Sequence, residues 1–131
     1  MTVATRSGPI FLAVGNDKQF QTLAKTLNAP DLASDPRFAT NSDRLQNRPA
    51  LHALLKEIFK DLDAVTAAEK LMRAGVPAAA VMNVKEILEH PHTAHRKMVV
   101  QKGDYRAIAS PIKLSRTPAT LRKLPPGLKD A

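Results

Sequence analysis

Cysteine and tryptophan are absent from these 131 residues, and aromatic side chains make up only 4%. Without cysteine there is no disulfide framework, no thiolate metal site and no cysteine nucleophile. With so few rings, the core is expected to consist of Leu, Val, Ile and Ala. No apolar run approaches the roughly 20 residues that a membrane-spanning helix needs, so no membrane partner is expected. No hydrophobic region follows the charge in Met1–Arg6, so no signal peptide is read there, and the cytoplasm is the default location. Internal repeats and low-complexity segments are also missing.

What remains reads as an ordinary folded chain. Hydrophobic residues make up 44% and charged ones 24%, enough apolar material to exclude disorder and to build one domain with a real core. The formal net charge of +8 is uneven: residues 1–66 hold 8 Lys/Arg against 7 Asp/Glu, and residues 67–131 hold 12 against 5. Such an excess suits a nucleic acid, an anionic ligand or an acidic partner surface, or is simply a solvated face.

The chain is organised around Val14–Arg48. The apolar run Ile10–Val14 reads as a buried strand ended by Gly15. Asn16 and Asp17 are natural helix caps, and Phe20, Leu23, Ala24 and Leu27 mark one face of a helix over Asp17–Leu27. Short capped turns follow at Asp31–Ala33 and Pro36–Ala39, and Asn41 is expected to cap another through Leu45. Arg48-Pro49 opens a helix with Leu51, Leu54, Leu55, Ile58 and Phe59 as its stripe. Asp63 caps Ala64–Ala74, with Val65, Ala68, Leu71 and Met72 expected inside and Gly75 just past the end. These two helices are expected to pack antiparallel. Ala78–Met82 reads as a strand, Asn83 as the cap of Val84–Glu89, and Pro91 as the start of a turn through His95. Lys97–Lys102 and Tyr105–Ala109 flank Gly103-Asp104 as a hairpin. From Ser110 onward prolines recur without helical pattern. The fold class expected is α+β: a short, largely antiparallel sheet covered by several helices, ending in an extended Pro-rich tail.

Four places bear on chemistry. The Gly15-Asn16-Asp17 turn sets a helix N-terminus at the end of a strand, where free N–H groups and the dipole favour anionic oxygens; the plain alternative is a glycine turn with a cap. His90, His92 and His95 have a spacing that admits a metal, but no carboxylate except Glu89 is placed to complete a site, so no metal is assigned. His52 is expected to be partly buried rather than catalytic. Arg37, Arg44 and Arg48 form either a cationic patch or separate surface pairs with Asp35 or Asp43. The basic tail carrying Lys113, Arg116, Arg122, Lys123 and Lys129 lacks interleaved aromatics for base stacking, so nucleic acid is not a partner.

The motifs A-V-G-N-D-K-Q-F, D-P-R-F-A-T-N-S-D-R, A-G-V-P-A-A-A-V (Ala74–Val81), S-P-I-K-L-S-R-T-P (Ser110–Pro118) and L-P-P-G-L (Leu124–Leu128) together resemble the class III coenzyme A transferases, the formyl-CoA transferase and carnitine dehydratase group. The resemblance runs from about Gly8 to Leu128, and members of that group are much longer. It implies a small α/β domain inserted in a larger nucleotide-fold domain. Residues 1–8 are then expected to be a tag or linker remnant, 9–110 the small domain, and 111–131 a connector to the missing large domain. It also implies an enzyme that passes coenzyme A from an acyl-CoA thioester to a carboxylic acid through an aspartate nucleophile, with no covalently bound cofactor and with a homodimer as its assembly. That aspartate belongs to the family's amino-terminal segment, so no catalytic residue is assigned here and the chain is expected to be inactive alone. Gly15, Asn16 and Asp17 are expected to line the cleft, because related acyl-CoA racemases carry an acidic residue near this turn. A racemase-type enzyme and a stand-alone basic anion-binding module are the alternatives. The cationic second half is expected to bind coenzyme A at most weakly and in a salt-sensitive way, and its tail to pack poorly on its own core or under a second copy.

Overall fold

A computed structural model describes residues 1–126; Gly127, Leu128 and Lys129, expected in the connector, lie outside the described residues together with 130 and 131. The chain divides into two compact units, Met1–Val81 and Met82–Ala131. The division falls inside the stretch 9–110 expected to be one domain.

Unit 1 is a three-stranded antiparallel sheet with helices packed against it. Strands β1 (Thr2–Thr5), β2 (Gly8–Leu12) and β3 (Ala78–Ala80) lie side by side in that order, with Val3 opposite Ile10 and Ile10 opposite Ala80. The period of two along a strand turns Val3, Ile10 and Leu12 inward, at 2% exposure or less, while Phe11 between the latter two faces out. Thr2–Thr5 therefore corrects the expectation for residues 1–8: the segment is an edge strand whose Val3 belongs to the core. Helices α1 (Asp17–Thr26), α2 (Pro30–Ser34), a 3-10 turn (Pro36–Phe38), α3 (Asn41–Gln46), α4 (Arg48–Phe59) and α5 (Ala64–Arg73) follow in order. Thr40 rather than Asn41 caps α3, its side chain and that of Asp43 satisfying each other's backbone amides.

The core differs in kind from the expected aliphatic one. Phe20, Phe38 and Phe59 are its largest fully buried side chains, and the first two meet edge to face at 6.4 Å between centroids. Helices α4 and α5, expected to pack on each other as an antiparallel pair, make their main contacts with the sheet. Helix α4 packs chiefly on β1, and α5 on β3 and β2. The buried face of α5 is Ala64, Ala67, Ala68 and Leu71, whereas Val65 and Met72 point outward at 46% and 56% exposure. Alanines let the helix backbone approach the all-alanine strand β3 closely, which Val65 and Met72 would prevent. The end of α5 shows why Gly75 is needed. The amide of Val76 donates to Leu71 O and that of Gly75 to Met72 O, a six-to-one and five-to-two pair that puts Gly75 at φ 86°.

The β1–β2 turn also fastens the start of α5. Arg6 N–H donates to Leu62 O, and Ala64 N–H to Ser7 Oγ. Asp63 accepts from the Thr66 amide, then from the Ser7 and Thr66 hydroxyls, which together bring its carboxyl from 3.8 down to about 2. A carboxyl whose pKa is depressed by folding stabilises the fold above its unfolded value and loses that effect as pH falls toward the folded one. Asp63→Asn is therefore expected to lower the denaturation midpoint at pH 6, with the gap to the parent chain closing between about pH 4 and about pH 2. A gap that is constant with pH would contradict this.

Unit 2 holds α6 (Val84–Glu89), α7 (Pro91–His95) and the hairpin β4 (Val99–Lys102) and β5 (Tyr105–Ile108), with Val99 opposite Ile108. Asn83 and Glu86 form a reciprocal cap on α6. Residues 109–126 contain no helix or strand, and Ile112, Leu114 and Leu124 are 66%, 55% and 47% exposed. Among the described residues, every fully buried apolar side chain lies in unit 1.

Candidate functional site

In the connection from β2 to α1, Ala13 N–H donates to Pro77 O, and local hydrogen bonds then shape the turn at Gly15–Asp17. Asn16 Oδ1 accepts from the Gln19 amide at 2.9 Å, and Gln19 Oε1 reaches back to the Gly15 amide at 2.8 Å. Phe20 N–H closes the first helical bond on Asn16 O. Of the four N–H groups that a helix start leaves open, Gln19's is satisfied. Those of Asn16, Asp17 and Lys18 have no protein acceptor among the described residues. Gly15, Asn16 and Asp17 are all exposed. They form a rim with outward amides and the positive end of a ten-residue helix behind them.

Gly15 itself needs no special conformation. Its φ lies outside the left-handed region, and an added Cβ would meet nothing nearer than Gln19 Oε1 at 3.7 Å. Gly15→Ala is therefore expected to change the unfolding free energy by less than about 0.5 kcal/mol, while Gly75→Ala costs about 1 kcal/mol. Urea midpoints of the two variants measure this, and a larger loss at Gly15 would contradict it.

Asp17 is held from a distance by Arg44, 27 positions away. The Arg44 guanidinium donates to Asp17 Oδ1 at 2.6 Å and to the carbonyls of Phe38 and Ala39 at 3.0 and 3.4 Å. It lies 4.6 Å above the Phe20 ring. Its side chain is 6% exposed while that of Asp17 is 56% exposed, so the buried partner is the cation. Sequence reasoning expected Arg44 to join a patch with Arg37 and Arg48 or to pair with Asp35 or Asp43; its acidic partner is Asp17 instead, and of the other two arginines it shares a cavity lining with Arg48. Arg37 does pair with Asp35, at 2.7 Å, which draws the Asp35 carboxyl below its ordinary value. Arg48 has no acidic partner among the described residues.

Beside the turn lies a cavity of about 260 Å³ whose lining includes Val14, Arg44 and Arg48. Its floor is apolar, and no acidic side chain lines it. The cationic side chains and the open amides suit the arrangement to hold an anion, and Asp17 Oδ1 is paired with the Arg44 guanidinium.

The histidines are placed apart from this site in sequence and differ in role. His90 Nδ1 accepts from the His92 amide and caps α7. Among the described residues no group of three His, Asp or Glu side chains converges to hold a metal. His52 is exposed rather than partly buried, and its Nε2 bonds the Thr2 carbonyl at 3.0 Å, tying α4 to β1. No helix among the described residues is long and apolar enough to cross a membrane.

Over residues 1–130 the chain matches the family described as CoA-transferase family III. The acetyl-CoA:oxalate CoA-transferase of Acetobacter aceti is 36% identical over 107 residues, which are 82% of this chain and 28% of that protein. An acyl-CoA transferase of Fusarium pseudograminearum is 33% identical over 133 residues, covering 95% of this chain and 29% of the relative. The crystal structure of a CAIB/BAIF family protein from Brucella suis has the same fold, with a TM-score of 0.82 at 35% identity over 90% of this chain and 31% of the other. The chain thus spans less than a third of the length of these relatives. On the match along its whole described length, the chain belongs to CoA-transferase family III.

Proposed function

We propose that this chain is the small domain of an enzyme that transfers coenzyme A between an acyl-CoA thioester and a carboxylic acid. In this reading the Gly15–Asp17 rim forms one wall of the reaction cleft, and a larger domain of the same protein supplies the aspartate nucleophile and most contacts to the coenzyme. The observation that carries it is the ratio of coverages: 82–95% of this chain corresponds to 28–29% of proteins named as CoA-transferases. Those names favour transferase chemistry over racemase chemistry. The rim adds physical support, since outward amides at a helix start favour the carboxylate and thioester oxygens of such substrates. The pairing of Asp17 Oδ1 with Arg44 supports a lining role for Asp17 in this reading. The parent enzyme is read as a cytoplasmic homodimer.

A transfer assay on the purified chain, with acetyl-CoA as donor and oxalate as acceptor, tests the reading. The expected result is no exchange above a protein-free blank. Turnover that disappears in Asp17→Ala would mean that the chain carries its own chemistry, and would overturn the proposal.

A further inference from the structure

We propose that the cavity in unit 1 is a binding site for a small organic carboxylate with an aliphatic tail, gripped by Arg48. The inference stands on unit 1 alone and does not depend on the transferase reading. Leu12, Val14, Leu51 and Leu55 give the cavity an apolar lining, and Leu12 and Leu55 are 2% and 1% exposed, so the floor belongs to the core itself. At about 260 Å³ the space is slightly below that of pockets for drug-sized ligands, which sets the scale of its occupant.

The charge at the cavity fixes the sign of the ligand. Arg44 and Arg48 are among its lining residues, as is Met1, whose terminal amine donates to Leu12 O, and no Asp or Glu is. Arg44 is offset by Asp17, but Arg48 has no acidic partner among the described residues. Arg48 also opens α4, whose first turn contains no acidic residue, so the helix field adds to its charge instead of offsetting it. A carboxylate there would relieve both and gain paired N–H···O bonds from the planar fork of the guanidinium. Leu45 completes the case. It also lines the cavity, and at 70% exposure it is the most exposed large apolar side chain of unit 1. An aliphatic tail entering the cavity would cover it. Inorganic phosphate offers the charge without the tail, and an alcohol the tail without the charge.

Methyl-detected NMR titration of the full chain with hexanoate, butanoate, 1-hexanol and inorganic phosphate tests the site. Hexanoate is expected to shift the Leu45, Leu51 and Leu55 methyls saturably. Butanoate, two methylenes shorter, should bind about tenfold more weakly, and 1-hexanol and phosphate more weakly than hexanoate by at least about fivefold. Arg48→Gln, at an exposed helix start, should keep the fold and lose the preference for hexanoate over 1-hexanol, whereas Arg96→Gln in unit 2 should keep it. The proposal is overturned if hexanoate and 1-hexanol bind alike, if Arg48→Gln preserves their ratio, or if no saturable shift appears at these methyls.

Discussion

Phe38→Ala is expected to lower the unfolding free energy by about 3–5 kcal/mol, among the largest single-residue effects in the chain. Phe38 is fully buried, its ring meets Phe20 edge to face, and the 3-10 turn that carries it is fixed by Asp35 at one end. Removing the ring leaves a void between α1 and the turn that rigid neighbours fill only in part. A domain of this size has about 5–15 kcal/mol in total, so the variant should be near its folding limit. The outward ring of Phe11, 46% exposed, is the control and should cost under about 1 kcal/mol on the same change. Urea unfolding monitored by circular dichroism decides it: a loss below about 1.5 kcal/mol at Phe38 would mean that the core is not organised around that ring.

Arg44→Ala should cost about 2–3 kcal/mol, and Arg44→Lys should recover less than half of that. Truncation leaves the carbonyl of buried Phe38 without its donor, which costs about 1–3 kcal/mol. It also removes the stacking on Phe20, worth about 0.5–2 kcal/mol. The ion pair itself adds little, because Asp17 is more than half exposed and turns to water when released. Lysine cannot reach two carbonyls, a carboxylate and a ring with one ammonium. Loss of less than about 0.5 kcal/mol in Arg44→Ala would show that the side chain is a passenger on the surface of α3.

Features set by neighbours in sequence were legible from the residues alone. Asn16, Asp63 and Asn83 each cap the helix expected of them, and Gly75 ends α5, because a cap needs only a side-chain oxygen and an amide three positions on. The Gly103-Asp104 hairpin was readable for the same reason. Strand β1 was not: Thr2–Thr5 offers one buried residue, Val3, and its signal lay in flanking threonines and in Gly8 closing a two-residue turn. The inward face of α5 was misjudged because side-chain size pointed to Val65 and Met72, while close approach to β3 selected alanine. The site was half readable. Sequence placed Gly15, Asn16 and Asp17 in one exposed turn, but the Arg44–Asp17 contact spans 27 positions, and local spacing favoured nearer acids. The cavity beside them is assembled from β2 and three helices, and no local motif encodes it.

One exchange of domains tests the central claim most directly. In the Acetobacter aceti acetyl-CoA:oxalate CoA-transferase, the segment that matches this chain over 107 residues is replaced by the corresponding part of this chain. The chimera's fold is verified by cooperative thermal unfolding, and transfer of coenzyme A from acetyl-CoA to oxalate is measured. If this chain is the small domain of such an enzyme, the chimera transfers coenzyme A above the blank, and Arg44→Ala within it slows the reaction. A cooperatively folded chimera with no transfer would contradict the account.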